Sequence, residues 1–161
     1  MTTSITVQVF DMQDLRLALP DLVWEQHHPG SLIPVEAGVY VWIRSDEVVL
    51  YIGSAMGKLG LRGRISTHLR LRANADALDL PGKRAEYKAV IAGLSEHQAR
   101  LLYARCSNAP DIEGMLLAYS VVLTGTTPML NGGGWDWTPR TREANSRALL
   151  VLRQKNARES A

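Results

Sequence analysis

The chain has 161 residues, 46% of them apolar and 21% charged, which is enough for one ordinary domain to close a core without cross-links. A formal charge of +2 is compatible with a polyanionic partner, while the single cysteine, Cys106, excludes an internal disulfide and any cysteine-rich zinc site and suits a reducing, cytoplasmic setting. No run approaches the roughly 18 to 20 uninterrupted apolar residues that cross a bilayer, so a soluble protein is expected, with no membrane partner.

From the N-terminus, Ile5 to Phe10 reads as a short strand, Met12 to Leu19 as a helical turn or two, and the stretch around His27, His28, Pro29 and Gly30 as a loop. These belong to an N-terminal extension, residues 1–35. Between Gly38 and Gly53 two runs of β-branched and aromatic residues, Val39 to Ile43 and Val48 to Ile52, flank Arg44-Ser45-Asp46-Glu47 and predict an antiparallel hairpin. Apolar residues at Leu61, Ile65 and Leu69 set a helical period over about 61–76, with arginines on the other positions. Pro81-Gly82 breaks the chain, a helix is predicted over about 84–93, and Arg100 to Cys106 alternates as a third strand. Ser107 to Asp111, with Pro110 in the first turn, opens a helix running to Leu123, which Gly125 and Pro128 end. Beyond Asn131 and its glycines stand Trp135 and Trp137, then a basic C-terminal helix over about 139–161. The expected architecture is a single α/β (α+β) domain with a three-stranded antiparallel sheet flanked by helices.

Tyr40 and Tyr51 lie on neighbouring strands of the hairpin, where a suitable register points both phenols to one face. Arg64 and His68, four apart on a helix, share a face about one turn apart and can reach one phosphate. Lys58, Arg62, Arg70 and Arg72 surround Arg64 with positive charge, and residues 54–75 contain no acid; a one-sign stripe of this kind suits contact with a nucleic-acid backbone. Hydrolysis of a phosphodiester needs an oriented water, a neutralised pentavalent phosphorus and a stabilised leaving oxygen. These residue types can meet those needs. His27 and His28, being adjacent, diverge and are read as loop residues in preference to metal ligands.

Gly38-Val39-Tyr40, then Tyr51-Ile52-Gly53, then Arg64-Ile65-Ser66-Thr67-His68, with Glu113 and Pro128-Met129-Leu130-Asn131 further on, resembles the signature of the GIY-YIG nuclease superfamily over about residues 36–131. The resemblance implies a metal-dependent endonuclease. In it Tyr40 orients or deprotonates the attacking water and Tyr51 binds the scissile phosphate. Arg64 holds the non-bridging oxygens, and His68 relays a proton or binds phosphate. Glu113 carries one magnesium ion, for which manganese can substitute, and Asn131 supports the site by hydrogen bonding. Glu113 stands further from Asn131 than in many members of the family, where the nearer position holds Tyr119; Asp111 is the alternative carboxylate. The implied partner is DNA, double-stranded in the first instance, with a homodimer if both strands are cut. A degenerate module that binds nucleic acid or protein without cutting is the alternative.

Overall fold

The computed structural model describes residues 9–73 and 84–131, with scattered positions between 146 and 160; for 71–73 and 84–88 it describes the backbone. The start of the expected N-terminal strand, the Trp135 and Trp137 cluster and most of the C-terminal helix lie outside the described residues. Within that last stretch Ser146, Arg147, Leu149, Leu150, Arg153, Gln154, Ala157 and Arg158 are helical.

Helix α1, Met12–Ala18, is opened by a reciprocal cap: Asp14 N–H donates to the Asp11 carboxylate at 3.0 Å and Asp11 N–H to the Asp14 carboxylate at 3.1 Å. The chain continues through β1, Glu25–Gln26, β2, Gly38–Ile43, and β3, Val49–Ala55. Helices α2, Gly60–Ala73, and α3, Arg84–Glu96, follow, then β4, Arg100–Arg105, and α4, Ala109–Thr124. The strands form one antiparallel sheet in the order β1-β4-β2-β3.

The sheet therefore has four strands where the sequence predicts three. The additional strand, β1, arises in a stretch read as loop. Two residues carry no periodicity, and β1 exists because Glu25 and Gln26 face Tyr103 and Leu102 across β4 while His27 N–H donates to the Leu101 carbonyl at 2.9 Å. At the start of the chain, Phe10 is buried but not in a strand, and only an isolated bridge joins Asp11 to Val48.

Alternation along the strands divides the apolar residues into two cores. Val39, Val41, Ile43, Ile52, Leu102 and Ala104 face α1 and α4. Tyr40, Trp42, Leu101 and Tyr103 face the opposite way and pack with Leu61 and Ile65 of α2 and Ile91 and Leu94 of α3. Helices on both faces explain why β2 is buried at every position, which a strand with one wet face is not. Among the described residues no helix is long and apolar enough to cross a membrane.

The element that carries Arg64 and His68 is anchored at its start. Leu61 N–H donates to the Glu36 carbonyl and Arg62 N–H to the Pro34 carbonyl, both at 2.9 Å, so residues 34–36 satisfy amides that a helix N-terminus leaves open. Gly60 adopts φ +44°, and a Cβ there would collide with the backbone of Val35 and Glu36, so only glycine lets the two segments approach. Pro110 in the first turn and Gly125 in the left-handed cap delimit α4 as expected.

Candidate active site

The register of the hairpin decides where the tyrosines point. Tyr40 pairs with Gly53 and Trp42 with Tyr51, with an irregularity between Trp42 and Ile43. Residues directly opposite in an antiparallel pair share a face, so Tyr40, Trp42, Tyr51 and Gly53 all look toward α2. The glycine is required by this packing: a Cβ at Gly53 would lie on the Tyr40 phenol. The Tyr40 and Tyr51 rings sit 6.1 Å apart.

Helix α2 brings the second half of the cluster. Leu61, Ile65 and His68 form its buried stripe, all 0% exposed, while Arg64 lies on the exposed side of the same turn as His68. The His68 ring is 5.4 Å from Tyr40, 5.7 Å from Tyr51 and 6.5 Å from Trp42, nearly parallel to the last at 9°. The Tyr40 hydroxyl is 3.4 Å from His68 Nε2, and the neighbouring Arg64 and Tyr51 side chains act on its ionisation. Three side chains, from α2 and β3, thus converge on the Tyr40 phenol.

Burial sets the charge states in this cluster. Tyr40 is held well above the ordinary tyrosine range, first by desolvation and then by the neighbouring Tyr51, and Arg64 opposes this without cancelling it. The phenol is therefore neutral: it can orient a water and pass a proton on, whereas a resident phenolate is disfavoured. His68 is lowered from 6.5 to about 4, by burial first and then by the Arg64 charge, and is a neutral proton acceptor at physiological pH. An exposed guanidinium over two neutral, buried proton-transfer groups can hold an anion while a proton is moved beside it.

Asn131 sits at the outer edge of β3. Ile52 N–H donates to Asn131 Oδ1 at 2.9 Å and Asn131 Nδ2 donates to the Ile52 carbonyl at 2.8 Å, while Leu130 N–H donates to the Leu50 carbonyl at 2.8 Å. Its side-chain amide acts as one more rung of the ladder and grips the strand next to Tyr51.

Glu113, in the second turn of α4, accepts a hydrogen bond from the Ser54 hydroxyl. Alternation places Ser54 with Ile52, toward α4, so Glu113 approaches β3 from the face opposite Tyr40. Because β3 is outermost in the strand order, the tyrosines and the carboxylate approach the same edge strand from two sides. Among the described residues no group of three or more His, Cys, Asp or Glu side chains could hold a metal. One hard carboxylate is nonetheless a donor set suited to magnesium, which keeps several waters and completes its shell from substrate phosphate. Tyr119, at the family's nearer spacing, is buried against Phe10 and presents no carboxylate, and Asp111 is exposed in the first turn of α4.

Of the basic residues, Lys58 and Arg70 are exposed. Arg62 is half-buried and its Nε donates to the Ile33 carbonyl at 2.7 Å, so part of its guanidinium pins α2. The side chain of Arg72 lies outside the described residues. Two contributors escaped the sequence reading. Trp42 is two residues from Tyr40, so period-two alternation alone could have placed it on the same face. Ser54 follows Gly53, but its carboxylate partner could be found only from the fold. Comparison with family models, with curated proteins and with solved structures returns no match, so the functional reading rests on the residues and their geometry.

Proposed function

We propose that this chain is a metal-dependent endonuclease that hydrolyses phosphodiester bonds in DNA in the manner of the GIY-YIG nucleases. The observation that carries the reading is the convergence of Tyr40, Tyr51, Arg64 and His68 on one site, from two strands and a helix, in the order of that signature. Arg64, exposed above the cluster, holds the non-bridging oxygens of the scissile phosphate and neutralises charge as it grows on them. Tyr51 binds the same phosphate beside it. The Tyr40 hydroxyl orients the attacking water; as the water's proton moves to the Tyr40 oxygen, the phenolic proton passes to His68 Nε2. Glu113, steadied by Ser54, would hold one magnesium ion, with manganese as a substitute. Bound there, the ion would supply Lewis-acid stabilisation of the leaving group.

Purified protein with magnesium is expected to nick or cleave plasmid DNA. Tyr40→Phe and Arg64→Ala should each lower the rate by about 100-fold or more, the usual scale for removing a group that stabilises the transition state. Full activity in both variants would sink the reading. Glu113→Gln is expected to lose manganese binding measured by electron paramagnetic resonance, and unchanged binding would remove Glu113 from the metal site. The Ser54 and Glu113 contact, on the opposite face of the sheet, keeps one second reading in play: a module that binds nucleic acid without cutting, marked by salt-sensitive binding and no cleavage with any divalent ion.

A further inference from the structure

A cavity of about 550 Å³ opens beside the cluster, on the same face of the sheet. Trp42, Leu69, Ala99 and Leu101 form its apolar floor, and the segment from Gln26 to Gly30 forms a rim with the side chains of His27 and His28. Trp42 is the wall shared by cavity and cluster, since its indole stacks over the His68 imidazole. Leu69 directly follows His68 in α2. A group lodged in the cavity would therefore lie one side chain away from the phosphate site, about the reach of a nucleotide's own base.

The lining suits a base better than the alternatives. No carboxylate lines the cavity, which disfavours a cationic ligand; Arg100 also lines it and can donate to the acceptor edge of a base, while the apolar floor with its indole suits a flat ring better than a compact phosphate. Flat apolar surface below and amide or imidazole groups at the rim are what the face and the edge of a nucleobase require. The volume falls in the range of about 300 to 1,000 Å³ typical of small-ligand sites and is ample for one base with its sugar. The rim has one further property: β1 is only two residues long and His27 is tied to β4 by a single backbone bond, so the rim is set in place by the sheet edge.

We propose that this cavity receives one unstacked nucleobase of the strand being cut, so that the substrate is single-stranded or locally distorted nucleic acid in preference to intact duplex. The proposal rests on the nuclease reading above. Extracting a base from a perfect duplex costs unstacking and unpairing, whereas a mismatch or a single strand has already lost most of that energy.

The test uses the full chain in EDTA with oligonucleotides carrying 2-aminopurine, whose fluorescence rises when it leaves the stack. Single strands, mismatched duplexes and perfect duplexes are titrated, with binding followed separately by anisotropy. A several-fold rise on binding, confined to 2-aminopurine at one position of the mismatched duplex, and tighter binding of mismatched than of perfect duplex are expected. His28→Ala, at the exposed rim, should reduce the rise; Leu69→Trp, which fills the cavity, should abolish it while salt-sensitive binding stays within about threefold. Binding in EDTA with no fluorescence change at any position, together with cleavage of the same oligonucleotides once magnesium is supplied, would overturn the cavity assignment and leave the nuclease reading standing. Absence of any nucleic-acid binding would overturn both.

Discussion

At the scale of single residues, the cluster gains its chemistry from taking titratable groups out of water. His68 is fully buried with a lowered pKa, so its neutral form is favoured in the fold and its charged form in the unfolded chain. Between the unfolded value of 6.5 and the folded value of about 4, the unfolded chain binds more protons, and stability must rise with pH across that window. The contribution is complete above the unfolded value and is lost as pH falls toward the folded one, amounting to about 3 kcal/mol at most. The same shift governs the proposed reaction. The acid limb of kcat/KM is expected near 4 instead of 6.5, with His68→Ala removing that limb along with most of the rate. An acid limb that persists unchanged in His68→Ala would show that His68 is not the proton acceptor.

At the scale of elements, β3 is the strand on which everything meets: Tyr51 on one face, Ser54 with Glu113 on the other, and Asn131 along its outer edge. Asn131→Ala leaves the Ile52 N–H and carbonyl without these partners, and we expect a loss of about 1 to 3 kcal/mol in urea unfolding, the scale for stranding buried polar groups. Amide exchange at Ile52 should quicken in the same variant. An unchanged urea midpoint and unchanged exchange would mean that the pairing contributes nothing. The hairpin itself was legible, because β-branched and aromatic residues alternate between glycines, and so was the helix bearing Arg64 and His68. What the sequence withholds is phase. Helix α4 is apolar at nearly every position from Met115 to Leu123, so no stripe shows which way Glu113 turns. A two-residue strand has no pattern at all, and Asn131 before three glycines reads as readily as a turn residue. The tyrosine register depends on an irregularity near Ile43 that propensity does not encode.

At the scale of the whole molecule, the modest charge of +2 means that the proposed DNA binding would have to come from where the cations stand and not from their number. Lys58 is exposed just before α2, the helix that carries Arg64, and under the proposed function it would contact a flanking phosphate. Lys58→Ala is expected to weaken binding alike for all sequences and to reduce the slope of log affinity against log salt by about one. An unchanged slope would remove Lys58 from the interface.

The grip of residues 130–131 on β3 has an outcome beyond the site. An outermost strand normally offers a row of open backbone groups to any passing chain, a standing invitation to fibre-like stacking or strand exchange. Here that row is already occupied along Leu50 and Ile52, and the opposite margin ends in a strand of two residues, too short to template another. Among the described residues, the outer margin at Leu50 and Ile52 is thus taken up by residues 130–131. A second copy that met this margin at Leu50 or Ile52 would have to do so through side chains, leaving the tyrosine-bearing strand undisturbed.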